Sequence, residues 1–91
     1  NISPGEIEEI LRLHPGVRDV AVLGLPDVQW GEKIAAVIVP ANPAPDIAEL
    51  ADWVKSRLRS TKTPEMWEFR LELPYNETGK LLRRVLKAEL A

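Results

Sequence analysis

Cysteine is missing from the whole chain. That excludes disulfides, thiolate zinc sites, iron–sulfur clusters and a cysteine nucleophile. A single histidine, His14, excludes a multi-histidine metal site and leaves one imidazole for acid–base work. Long apolar runs are lacking too. The longest, Ile34–Pro40, falls far short of the roughly 20 residues a membrane-spanning helix needs. Basic charge is not in excess: 12 Lys and Arg face 14 Asp and Glu, for a net −2, so bulk charge makes no case for nucleic-acid binding. No signal-peptide pattern, internal repeat or low-complexity tract is visible.

What is present suits a globular domain. Hydrophobic residues make up 45% and charged residues 29%, which argues against disorder, and 91 residues leave room for one core only. The charge is uneven along the chain. Residues 1–11 carry Glu6, Glu8 and Glu9 without a base, for −3; residues 79–91 carry Lys80, Arg83, Arg84 and Lys87 against Glu89, for +3. Helix-dipole tuning explains this pattern most simply; a basic C-terminal face that meets an anion or an acidic partner is the sharper alternative. The chain begins at Asn1, just ahead of a complete helix start, and is expected to be a fragment of a larger protein.

Ser3 is a helix cap, Pro4 suits the first helical position, Glu6 completes a capping box, and Ile2 with Ile7 fit a hydrophobic staple. His14-Pro15-Gly16 stops the helix, with His14 expected as a dipole partner or a surface residue. Val17–Leu25 reads as a strand, Pro26–Glu32 as a loop, and Lys33–Val39 as a second strand whose unbroken apolar run predicts cover on both faces. Asp46 caps a second helix with Ile47, Leu50, Ala51, Val54 and Leu58 on one stripe; Trp53, beside it, is expected to pack. Arg59–Glu65 is turn-like. Trp67, Phe69, Leu71 and Leu73 alternate with polar residues, which predicts a half-buried strand ended by Pro74. A helix from about Gly79 to Leu90 closes the chain, with Leu82, Val85, Leu86 and Leu90 as its stripe. The order is α-β-β-α-β-α: an α+β fold, a three-stranded sheet packed with three amphipathic helices. Such a small sheet can bury one face well.

Most reaction templates fail. No Ser–His–acid set, Gly-rich phosphate loop or metal cluster is present, and no carboxylate sits where burial is expected to raise its pKa. One segment stands apart: Leu73-Pro74-Tyr75-Asn76-Glu77-Thr78-Gly79-Lys80, followed by Leu81-Leu82-Arg83-Arg84. A strand delivers the chain to a turn, Gly79 lets the backbone bend, and Lys80 sits at the expected start of a helix. An ammonium on a flexible stem there suits a phosphate or carboxylate, and the helix terminus would add partial positive charge. A solvated surface lysine is the plain alternative.

Four stretches together resemble the small C-terminal domain of the adenylate-forming superfamily, which includes acyl-CoA synthetases and adenylation domains. They are Ile2-Ser3-Pro4-Gly5-Glu6-Ile7-Glu8; His14-Pro15-Gly16-Val17-Arg18-Asp19-Val20-Ala21-Val22 followed by Pro26-Asp27; Trp30-Gly31-Glu32-Lys33; and Lys62-Thr63-Pro64 through Lys80 and Arg84. The resemblance implies the mobile C-terminal lid, spanning residues 1–91, of a cytoplasmic AMP-forming ligase of fatty acid metabolism. Its partner would be an N-terminal adenylation domain of the same chain. By that resemblance a carboxylate would attack the α-phosphate of ATP to give an acyl-adenylate and pyrophosphate, and a thiol, that of CoA or a phosphopantetheine arm, would then take the acyl group and release AMP. Lys80 matches the family's catalytic lysine, with Gly79 beside it, and is implied to act as an electrostatic clamp in the first step. Mg2+ is expected to accompany ATP, bound by the missing domain. The resemblance further implies CoA contacts near Asn1 and Ser3, and Trp30 with Gly31 could help line that face. Many relatives carry a basic residue shortly before the Gly-Lys pair; this chain has Tyr75, Asn76 and Glu77. The fragment alone is expected to be inactive. Two other readings stand beside the CoA ligase: the C-terminal subdomain of a carrier-protein-dependent adenylation domain, and a stand-alone α+β interaction module whose Gly-Lys turn is coincidental.

Overall fold

A computed structural model of the chain describes residues 3–58 and 63–91. Asn1, Ile2 of the expected staple, and Lys62 lie outside the described residues. The elements follow the expected order: α1 (Pro4–Arg12), β1 (Val17–Asp27), β2 (Gly31–Pro40), α2 (Ile47–Leu58), β3 (Met66–Phe69) and α3 (Arg83–Leu90).

Local chemistry sets the first helix. Ser3 adopts an extended backbone and its Oγ accepts the Glu6 N–H at 3.3 Å, with Pro4 next in the chain. Ile7 and Leu11, one turn apart, are both fully buried.

The sheet order is β1-β2-β3. β1 and β2 form an antiparallel hairpin that pairs as far as Asp27 with Gly31, so the turn is only Val28-Gln29-Trp30. The loop expected over Pro26–Glu32 is therefore mostly ladder; Gly31, at φ +80°, and the Asp27 carboxylate, which accepts the Trp30 N–H at 2.9 Å, let the chain reverse in fewer residues. β2 runs parallel to β3, and α2 makes the crossover that a parallel pair requires.

Central β2 is covered on both faces, as its apolar run predicts. Ile34, Ala36 and Ile38 pack with Val20, Val22, α1 and α2 on one side. Val37 and Val39 pack with Ala21, Leu23, Leu73 and the α3 residue Leu86 on the other. The sheet thus buries both faces.

Two boundaries differ from expectation. β3 ends at Phe69, not at Leu73, and Leu71 is 95% exposed. The reason lies across the ladder. The Arg70 N–H donates to the Ile38 carbonyl at 2.8 Å, and the next parallel rung would need an N–H from Pro40, which has none. The third helix begins at Arg83, not near Gly79, because Pro74–Leu82 is occupied by a small hairpin.

Candidate functional site

The segment from Pro74 to Leu82 folds back on itself. The Leu82 N–H donates to the Pro74 carbonyl at 2.8 Å, Tyr75 bridges Leu81, and the Asn76 N–H donates to the Lys80 carbonyl at 2.9 Å. The Gly79 N–H closes the turn on the Asn76 carbonyl at 3.0 Å. Gly79 has φ +84°, a conformation that side chains other than hydrogen disfavour, although open space surrounds its Cα. Lys80 is therefore presented by a tight turn rather than by the first turn of a helix, which corrects the expected placement. Its side chain is exposed, and no ion pair involves Lys80 or Arg84 among the described residues. An open cleft of about 530 Å³ lies beside it, lined by Lys80, Leu81, Leu82, Arg83 and Arg84.

Charged side chains hold the stem of this turn to α1 and β1. Arg83 donates two parallel bonds to Glu8, Nη1 to Oε1 at 2.8 Å and Nη2 to Oε2 at 2.9 Å. The Tyr75 hydroxyl donates to Asp19. Arg12 joins the two acids, reaching Glu8 at 3.2 Å and Asp19 at 3.4 Å. Both acids also serve the sheet. The outward N–H groups of edge strand β1 at Val20 and Val22 donate to Asp19 and Glu8, each bond under 3 Å.

Burial pushes the Glu8 carboxyl pKa up, but the bonds from Arg83 and Val22 and the charges of Arg83 and Arg12 outweigh it and hold the group below the ordinary carboxylate value. Arg83 is correspondingly raised, first by its bond to Glu8. The Tyr75 phenol is raised by its bond to Asp19 and by burial. The acidic start and basic end of the chain thus meet each other. Arg83 finds its acidic partner in Glu8, a pair that helix-dipole tuning does not describe.

Residues 6–80 match the family model of the AMP-binding enzyme C-terminal domain. The chain belongs to that family. It is 38% identical over 89 residues to a long-chain-fatty-acid–CoA ligase of Escherichia coli O157:H7, covering 98% of this chain and 16% of the ligase. It is 41% identical over 88 residues to a fatty acid–[acyl-carrier-protein] ligase of Streptomyces coeruleorubidus, covering 96% of this chain and 17% of that protein. A Mycobacterium tuberculosis fatty acyl CoA synthetase structure superposes with a TM-score of 0.88 at 38% identity, covering 98% of this chain and 18% of the other. The chain spans about a sixth of the length of such relatives.

Within this AMP-binding C-terminal domain, the other expected site residues lie apart from the Lys80 cleft. Ser3 spends its hydroxyl on the α1 cap, and Asn1 is outside the described residues. Trp30 is 74% exposed at the tip of the β1–β2 hairpin, beside Gly31. Neither Ser3, Trp30 nor Gly31 lines the cleft. No group of three or more His, Asp or Glu side chains suited to a metal ion occurs among the described residues. No helix among them is long and apolar enough to cross a membrane.

His14 corrects another expectation. It is only 5% exposed, its Nδ1 accepts the Gly16 N–H at 2.8 Å, and its Nε2 lies 2.7 Å from Glu49 Oε2. With Nδ1 accepting, Nε2 carries the hydrogen and donates. The ring is structural, tying the end of α1 to α2, and Trp53 packs edge-on against it as expected of a packing residue.

Proposed function

We propose that the chain is the mobile C-terminal domain of an ATP-dependent acyl-CoA synthetase and that Lys80 is its catalytic residue. The observation that carries the reading is an exposed ammonium, in no ion pair among the described residues, on a turn whose stem is tied to the rest of the domain. Such a group meets a substrate delivered by another body without first breaking an internal contact. When a carboxylate attacks the α-phosphate of ATP, two anions approach and charge grows on the phosphoryl oxygens. A preplaced cation neutralises that charge and holds the reactants in line. Acyl transfer to the CoA thiol follows on another face, toward which Asn1, Ser3, Trp30 and Gly31 are assigned. Mg2+ would travel with ATP on the N-terminal adenylation domain. The similarity to an acyl-carrier-protein ligase supports a second acceptor, a tethered phosphopantetheine thiol.

The test uses the complete ligase chain. Lys80→Ala should lower carboxylate-dependent pyrophosphate exchange by about 10²–10³-fold, by analogy with loss of a single oxyanion donor. Thioester formation from supplied acyl-adenylate should persist. Pyrophosphate exchange unchanged by Lys80→Ala would remove the catalytic assignment. Free CoA and carrier protein, offered separately, decide the acceptor.

A further inference from the structure

The turn that carries Lys80 is held in two different ways. Its stem is fixed by core packing of Leu73 and Leu86 and by the Tyr75–Asp19 and Arg83–Glu8 contacts. Its tip, Glu77 to Lys80, is exposed throughout. Beyond its main-chain bonds, the tip is organised by one side chain. Asn76 Oδ1 accepts the Thr78 N–H at 3.0 Å, the Thr78 hydroxyl at 2.8 Å and the Lys80 N–H at 2.9 Å. The Lys80 peptide is thereby held on both sides, since its carbonyl already accepts the Asn76 N–H.

A two-bond turn needs none of these side-chain contacts to close. What they add is a fixed direction for the Lys80 Cα–Cβ bond in a segment that makes no other side-chain hydrogen bond among the described residues. We propose that Asn76 is a positioning residue for Lys80, and that its carboxamide oxygen sets where the amine points during adenylate formation. This rests on the assignment of Lys80 as the catalytic cation. An ammonium on a four-carbon stem gains most from a fixed root, because each unconstrained torsion spreads the charge over positions that do not stabilise the reacting phosphate. Asn76 is exposed and lies outside both core clusters, so its effect falls on geometry rather than on folding.

The experiment compares Asn76→Ala, Asn76→Asp and Lys80→Ala in the complete ligase, with thermal unfolding recorded for each. Asn76→Ala should lower kcat for adenylation by about 10- to 100-fold, the penalty for misplacing a catalytic group by around an ångström. KM for ATP, the melting temperature and thioester formation from supplied acyl-adenylate should hold. Asn76→Asp keeps an acceptor oxygen in the same place and should restore most of the rate. Wild-type adenylation by Asn76→Ala, alongside a defective Lys80→Ala, overturns the proposal and leaves the Lys80 assignment standing. A loss shared equally by both half-reactions, or one that Asp does not rescue, makes Asn76 structural and also overturns it. Normal adenylation by Lys80→Ala refutes the underlying assignment instead.

Discussion

Removing the Glu8 side chain should unfold this domain more readily than removing any of its exposed acids, and the cost can be worked out contact by contact. The carboxylate is 8% exposed and takes bonds from Arg83, Arg12 and the Val22 N–H. In Glu8→Ala, the buried Val22 N–H loses its acceptor, which costs about 1–3 kcal/mol. Arg83 and Arg12 are 49% and 45% exposed and can turn to water, so each lost pair adds only about 0.5 kcal/mol. A total of about 2–4 kcal/mol follows, at or under the roughly 3–5 kcal/mol of a pair buried on both sides. For a domain of this size that is a drop in melting temperature of about 10–30 °C.

The same carboxyl predicts a pH dependence. Its pKa is held below the ordinary 4.5, so the unfolded chain binds its proton more readily than the folded one. The stabilisation is therefore complete above that value and is lost as the pH falls through the depressed folded pKa. Glu8→Gln retains an oxygen for Val22 but not the charge. The stability gap between wild type and Glu8→Gln should stay level from about pH 8 to about pH 5 and close at lower pH. Urea unfolding followed by tryptophan fluorescence measures it. A gap that stays constant into acid, or widens, would refute the assignment of Glu8 as a charged anchor.

Two further outcomes follow from single residues. Gly79→Ala meets open space but must hold φ +84°, at a cost of about 1–2 kcal/mol of backbone strain; adenylation by the complete ligase should fall and the domain's melting temperature should drop by about 5–15 °C, and unchanged activity and melting temperature would show that the turn relaxes freely. His14→Ala strips the Glu49 bond, the Gly16 N–H acceptor and a buried ring, and should destabilise the 91-residue chain by about 2–3 kcal/mol in urea titration; a loss like that of an exposed residue would place the ring in solvent.

The elements legible in the sequence are those whose signal is local. Ser3 and Pro4 announce α1 because a cap works within one turn, and Ile7 with Leu11 announces its buried face. The apolar run of β2 announces a central strand because both neighbours exclude water from it. What the sequence hides are features decided by a partner elsewhere in the chain. Trp67 to Leu73 alternates like one strand, yet β3 stops where Pro40 on its neighbour has no N–H to give. Leu82, Val85 and Leu86 have helical spacing, yet the pairing of Leu82 with Pro74 holds the chain extended until Arg83. His14 is polar and reads as surface until Gly16 and Glu49 satisfy both of its nitrogens.

The candidate site divides along the same line. Gly79 and Lys80 are visible because the proposed role needs only local features: a bend and a charge. The clamp beneath them is not, because Glu8 and Arg83 lie 75 residues apart. The opposite charges of the two chain ends were its only trace in sequence. That separation has a mechanical consequence. A lysine that works by reaching into another body must be free at its amine and fixed at its root, and a lone turn on an exposed edge supplies only the first. By tying Tyr75 and Arg83 to acids on α1 and β1, the domain makes the root of Lys80 part of its core rather than of a loose loop, as the proposed role requires. Weakening the clamp should therefore loosen the placement of the charge as well as the fold that carries it.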